Sequence, residues 1–185
     1  SCTQTVSDGT SEQKINLVNN PSTGTETDTL AAYNKWTLTG WKIKEWTTNA
    51  DGTGTIYPVS STYTVPNGSS AGSGITLFAH WSPVYSIQYD GNNADNPDGM
   101  GTTDQSTGVK SVKQTNVSEG DPVVLLASNF KKAGYGFAGW STNPNATVTS
   151  GDKIYGPMET IDAPAYPTNG TNIITMYAVW VPAEK

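Results

Sequence analysis

A chain of 185 residues suffices for one large or two small domains, and low charge (14%) with 10% aromatics argues against disorder. The net charge is −6 and every basic residue is Lys, so nucleic acid and anionic membrane are poor partners: bidentate Arg is absent and no basic stripe appears. No apolar run approaches the roughly 20 residues of a membrane span, and the single Cys2 excludes any disulfide within the chain and any cysteine-based metal cluster.

Residues 1–35 are polar and broken by Asp8-Gly9, Asn19-Asn20-Pro21 and Ser22-Thr23-Gly24, with Ile15-Asn16-Leu17-Val18 suited to one short strand. A strand is predicted over residues 36–46, on which Trp36, Leu38 and Gly40 share a face by the two-residue period. Asn49-Ala50-Asp51-Gly52-Thr53-Gly54 reads as a hairpin-like turn, because Asp-Gly supplies the positive φ that tight turns require. Ile56-Tyr57 and Thr62-Tyr63-Thr64-Val65 are short strands, followed by a loop at 66–69 and a closing strand at 75–81. On that strand Ile75, Leu77, Ala79 and Trp81 form the core face, while His80 falls on the mixed face and reads as a surface histidine.

Ser82-Pro83-Val84 is expected to be a short hinge. Tyr85-Ser86-Ile87-Gln88-Tyr89 alternates as a strand, residues 90–108 form a long polar loop, and 109–117 read as strand. Residues 121–130 are strand or a short helical turn. Lys131-Lys132-Ala133-Gly134 then turns into the aromatic strand Tyr135-Gly136-Phe137-Ala138-Gly139-Trp140, and a loop at 143–152 precedes Ile154-Tyr155. The chain closes on Ile174-Thr175-Met176-Tyr177-Ala178-Val179-Trp180.

The Gly-Trp strand and the Trp-ended strand occur twice, first as Trp36-Thr37-Leu38-Thr39-Gly40-Trp41 and Ile75-Thr76-Leu77-Phe78-Ala79-His80-Trp81. The offsets agree, since 140 minus 41 and 180 minus 81 are both 99. The chain therefore reads as two copies of one unit, 1–83 as a divergent repeat and 84–185 as the second. Trp41, Trp81, Trp140 and Trp180 recur with the repeat and are placed in the cores. Trp46-Thr47-Thr48-Asn49 also resembles Trp140-Ser141-Thr142-Asn143, which suggests a small insertion after Trp41. The expected class is mainly β, with α+β as the alternative.

At Tyr85-Ser86-Ile87-Gln88-Tyr89-Asp90-Gly91-Asn92, at residues 134–142 and at Thr175-Met176-Tyr177-Ala178-Val179-Trp180, the chain resembles a Listeria–Bacteroides repeat, the B-type repeat of internalin-like bacterial surface proteins. Residues 84–182 match well, 36–83 partly, and 1–35 poorly. The resemblance implies two tandem β-grasp-like units, each a mixed sheet curling over a short helix or loop. It also implies a repeat segment of a secreted or wall-anchored surface protein, extracellular and part of a longer chain, serving as stalk or adhesion module. A chain starting at Ser1 without Met agrees with an excised segment. The partner expected is a cell-surface protein or a glycan. The family brings no catalytic residues.

His80 alone could serve a Ser-His-Asp arrangement and no nucleophile elbow occurs, so no catalytic residue and no cofactor is expected. The acidic loop from Asp90 to Asp98 offers hard oxygens but fails the EF-hand pattern, with Ala94 and Asp95 where a ligand and Gly are needed; calcium stays an open alternative to Asx-turns. A Lys–Asn isopeptide bond and an upstream partner or lipid for Cys2 stay open too. Glycan stacking needs exposed aromatics outside the core, and Trp46, Tyr57, Tyr63, Tyr155 and Tyr166 are the candidates. The alternatives to a stalk are thus a carbohydrate-binding module and a subunit of an extracellular fibre.

Overall fold

The computed structural model describes residues 2–9, 12–19, 26–29, 38–59, 62–65, 74–101 and 113–184. The chain divides into two compact units, Ser1–Pro83 and Val84–Lys185. The structure is mainly β, and the described residues form no helix.

Unit 1 holds β1 (Cys2–Gly9), β2 (Glu12–Asn19), β3 (Glu26–Thr29), β4 (Trp41–Thr47), β5 (Ile56–Pro58), β6 (Thr62–Val65) and β7 (Gly74–Pro83). Five of them form an antiparallel sheet in the order β1-β2-β7-β4-β5, and β3 pairs with β6. The short strand expected at Ile15-Asn16-Leu17-Val18 lies within β2. The strand expected over 36–46 begins only at Trp41. Leu38, Thr39 and Gly40 instead make a turn, in which the Trp41 N–H donates to the Leu38 carbonyl at 2.9 Å and Gly40 sits at φ +81°. The turn reverses the chain just before β4, so Leu38 and Gly40 do not share a strand face with it; Trp36 itself lies outside the described residues. Ser82 and Pro83, expected in a hinge, are the last residues of β7, opposite Lys42 and Trp41.

Unit 2 holds β8 (Tyr85–Asp90), β9 (Lys113–Val117), β10 (Pro122–Val124), β11 (Tyr135–Ser141), β12 (Thr160–Asp162) and β13 (Ile173–Pro182). Its main sheet is mixed, in the order β11-β13-β8-β9, with β13 parallel to β8 and the outer strands antiparallel. A parallel pair needs a long crossover, and here residues 91–172 supply it. The alternation of β8 shows directly in its burial: Tyr85, Ile87 and Tyr89 are buried, with Ser86, Gln88 and Asp90 half-exposed between them. Met176 and Ala178 of β13 and Trp140 of β11 complete that face. The crossover covers it with Val123, Leu125, Phe130 and Ile161. Of the two readings for residues 121–130, the strand is found at β10, paired with β12, and an irregular segment follows.

The aromatic polar groups inside this core, those of Trp140, Tyr89 and Tyr85, are paired, as burial demands. The Trp140 indole N–H donates to the Leu126 carbonyl at 2.9 Å. The Tyr89 hydroxyl donates to Gln114 Oε1 at 2.7 Å and accepts the Leu126 N–H at 3.0 Å. Burial, with the Asp121 and Glu119 carboxylates adding to it, pushes the Tyr85 phenol up to about 12; its O–H donates to the Pro164 carbonyl.

Both units contain the same bulged antiparallel strand pair. On β4 and β7 the pairs run Trp41↔Pro83, Lys42↔Ser82, Ile43↔Trp81, then after a bulge Glu45↔His80, Trp46↔Ala79, Thr47↔Phe78. On β11 and β13 they run Tyr135↔Pro182, Gly136↔Val181, Phe137↔Trp180, then Gly139↔Val179, Trp140↔Ala178, Ser141↔Tyr177. The extra residue lets Phe137 and Trp140, three apart, share one face; without it the two-residue period would oppose them. Trp46 therefore matches Trp140, and Trp41 matches Tyr135. This corrects the alignment by equal offset: β7 and β13 are 99 apart, but 140 minus 46 is 94. It also moves Trp41 out of the core, where it is 45% exposed, beside 44% for Tyr135. Trp81 and Trp180, also expected in the cores, are half-buried.

Candidate functional site

Of the five aromatics expected to be exposed for stacking, Trp46 is excluded. It is fully buried, because it fills the core position that Trp140 fills in unit 2. Tyr57 lies opposite it on β5, half-buried. Tyr155 holds the equivalent place, exchanging two backbone hydrogen bonds of 2.8 Å with Trp140. It packs against the core, with the Lys153 ammonium 5.4 Å from its ring centroid. Tyr63 lies on β6, and its side chain is outside the described residues. Tyr166 is half-buried, its ring edge-on to Tyr85 at 6.1 Å and its hydroxyl bonded to Asn172. The four described side chains are not brought together on one surface of either unit: Tyr57 and Tyr155 are lateral supports of the buried Trp, and Tyr166 packs on Tyr85 elsewhere in unit 2.

The acidic loop proves to be a staple. Asp90 accepts the Asn92 N–H at 2.8 Å, Asp95 accepts the Ala133 N–H at 2.6 Å, and the Asn96 side chain bridges the Lys131 N–H and the Asn129 carbonyl. Asp90 thus closes an Asx-turn within its own loop, while the Asp95 and Asn96 oxygens satisfy backbone donors of the turn before β11. Among the described residues no group of three or more His, Cys, Asp or Glu side chains could hold a metal. His80 is exposed on β7 and faces Glu45 at 2.7 Å.

What the stapled loops frame is a groove of about 530 Å³ beside the start of β11, with Tyr135, Phe137, Trp180, Phe130 and Lys132 among its walls. A ladder of edge-to-face rings runs into it from the core: Tyr89 to Trp140 at 4.7 Å, Trp140 to Phe137 at 4.9 Å, Phe137 to Trp180 at 6.1 Å. The Trp180 indole N–H is held by the Gly91 and Asn92 carbonyls at 3.0 and 3.1 Å, which fixes the plane of its ring. Tyr135 stands at the open end, with the Lys132 ammonium 4.7 Å from its ring centroid. The repeat signature gives this place no mark of its own, because it places Trp180 in the core. The signal was there in Trp46-Thr47-Thr48-Asn49 against Trp140-Ser141-Thr142-Asn143, which sets Gly40-Trp41 on Gly134-Tyr135.

Residues 85–179, just over half of the chain, match the Listeria-Bacteroides repeat domain. The chain belongs to that family. A relative from Evansella cellulosilytica, named "Putative Gly-rich membrane protein", is 29% identical over 147 residues, covering 77% of this chain. The chain spans 14% of that relative's length. No solved structure matches. The matched stretch begins at β8 and reaches into β13, so it contains most of the mixed sheet, its crossover and most of the bulged strand pair. Among the described residues no helix is long and apolar enough to cross a membrane.

Proposed function

We propose that the chain is a non-catalytic repeat segment of a bacterial surface protein, working outside the cell as stalk or adhesion module. The observation that supports it best is the duplicated bulged strand pair, with Trp46 and Trp140 each buried at the same register in its own unit. A unit that carries its own aromatic core can be repeated without redesign, and arrays of such units give length and display. Family membership and a relative several times longer, itself named a membrane protein, agree with this reading. The two β-grasp-like repeats would then be 1–83 and 84–185, with a cell-surface protein or glycan as partner.

Accessibility on intact cells tests it. Antibody raised against the chain should label unpermeabilised cells that make the parent protein, and protease shaving should release peptides from it. Labelling only after permeabilisation would overturn the extracellular reading.

A further inference from the structure

We propose that each unit carries, at the open end of its aromatic face, a binding groove for an uncharged saccharide, marked by Trp41 in unit 1 and Tyr135 in unit 2. This goes beyond a stalk role and does not depend on it.

A single exposed aromatic is ordinary on a protein surface. Here the exposure is duplicated. In each unit a turn with Gly at positive φ (Gly40 at +81°, Gly134 at +77°) delivers a large ring to the first position of the bulged strand. The turn closes in the same way, Trp41 N–H to Leu38 O at 2.9 Å and Tyr135 N–H to Lys132 O at 3.1 Å. The ring is Trp in one unit and Tyr in the other, exposed 45% and 44%. Neither fold needs it buried, since the core is closed by the Trp beyond the bulge. What persists between the copies is an outward-facing flat ring.

The ring opens onto more rings. In unit 2 Phe137 and Trp180 continue the wall of the groove, and at about 530 Å³ its volume lies within the range of small-molecule sites. In unit 1 the register puts Ile43 and Trp81 at those two positions. The charges at the rim do not repeat: where unit 2 has Lys131-Lys132, the same alignment places Thr37-Leu38 in unit 1. A ligand recognised by both copies is therefore met by ring faces and not by ionic pairing. A pyranose fits, because its axial C–H face stacks on an aromatic plane while its hydroxyls turn to water and to rim groups such as Asp95 and Asn96. A peptide added as a strand fits less well. Part of the outer edge of β4 and β11 is already taken, by β5 from Glu45 to Thr47 in unit 1 and by the Tyr155 exchange at Trp140 in unit 2, which shortens the run a peptide strand could pair with.

The test is calorimetric titration of the whole chain with cello-, malto-, xylo- and chito-trioses at millimolar concentration. One of them should bind with two sites per chain. Trp41→Ala and Tyr135→Ala should each leave one site, and the double variant should bind at least about tenfold more weakly, as loss of a stacking anchor requires. Trp41→Phe and Tyr135→Phe should keep both sites, and unchanged circular dichroism keeps folding out of the comparison. No binding to any of the four sugars would overturn the proposal. So would a double variant that binds like the parent, or binding of extended peptides in place of sugars.

Discussion

Trp46 and Trp140 hold one position in two copies of a bulged antiparallel strand pair: each is fully buried, and each lies opposite an alanine, Ala79 or Ala178. The next residue repeats the relationship, for Thr47 and Ser141 are both 1% exposed. These two indoles are the centres around which the units close.

Removing either ring should unfold its own unit first. Trp→Ala at such a site costs about 3–5 kcal/mol, a large part of a small domain's stability. Trp140→Ala should therefore strip hydrogen-exchange protection from β8, β11 and β13 while β4 and β7 stay protected. Trp46→Ala should do the reverse. Uniform loss across both units in either variant would contradict separate cores.

Gly139 has a sharper requirement. It lies at φ +147°, and a Cβ there would stand 2.5 Å from the Tyr155 carbonyl oxygen. Gly139→Ala should destabilise unit 2 by about 1–3 kcal/mol. At Gly136 the nearest neighbour is Val181 at 3.7 Å, so Gly136→Ala should be tolerated to within about 0.5 kcal/mol. Urea denaturation of the two variants provides the comparison.

Two exposed turns should make stability depend on acid. Hydrogen bonds from Thr53 hold Asp51 below its ordinary value of 3.8, and those from Asn143 and Ser150 do the same for Asp152. With folded values depressed, the unfolded chain binds more protons below about 4, so this stabilisation is present above that pH and lost as pH falls through the folded values. Melting temperature should drop as acid is added, and Asp51→Asn with Asp152→Asn should flatten that part of the profile.

At the alkaline end the sign reverses. The Tyr85 phenol rises from 10.0 to about 12 on folding, so its contribution is complete below 10 and is lost as pH climbs towards 12. Tyr85→Phe should remove that component of the alkaline fall in stability, measured by denaturant unfolding on either side of pH 10.

Much of this architecture is written in local pattern. Alternation located β8 and β13, the Asp-Gly turn was visible at Asp51-Gly52, and the double Trp signature showed the repeat. The register was harder to read. A bulge adds one residue without leaving a mark in composition, and it lets residues three apart share a face. Equal spacing of Gly-Trp pairs thus favoured Trp41 as the partner of Trp140. The loop after β4 or β11 hides the shift, because Tyr155 lies 15 positions beyond Trp140 and Tyr57 only 11 beyond Trp46. The equal offset likewise leaves Trp46 outside the repeated signature, open to a ligand, and puts the exposed Trp41 in the core. Exposure is set by tertiary register, which the two-residue period alone does not carry.

The most direct measurement is hydroxyl-radical footprinting of the folded chain, read tryptophan by tryptophan by mass spectrometry. Trp41 should be oxidised readily, with Trp46 and Trp140 protected together until the chain unfolds. Rapid oxidation of Trp46 with protection of Trp41 would restore the equal-offset register and contradict the paired cores described for the two units.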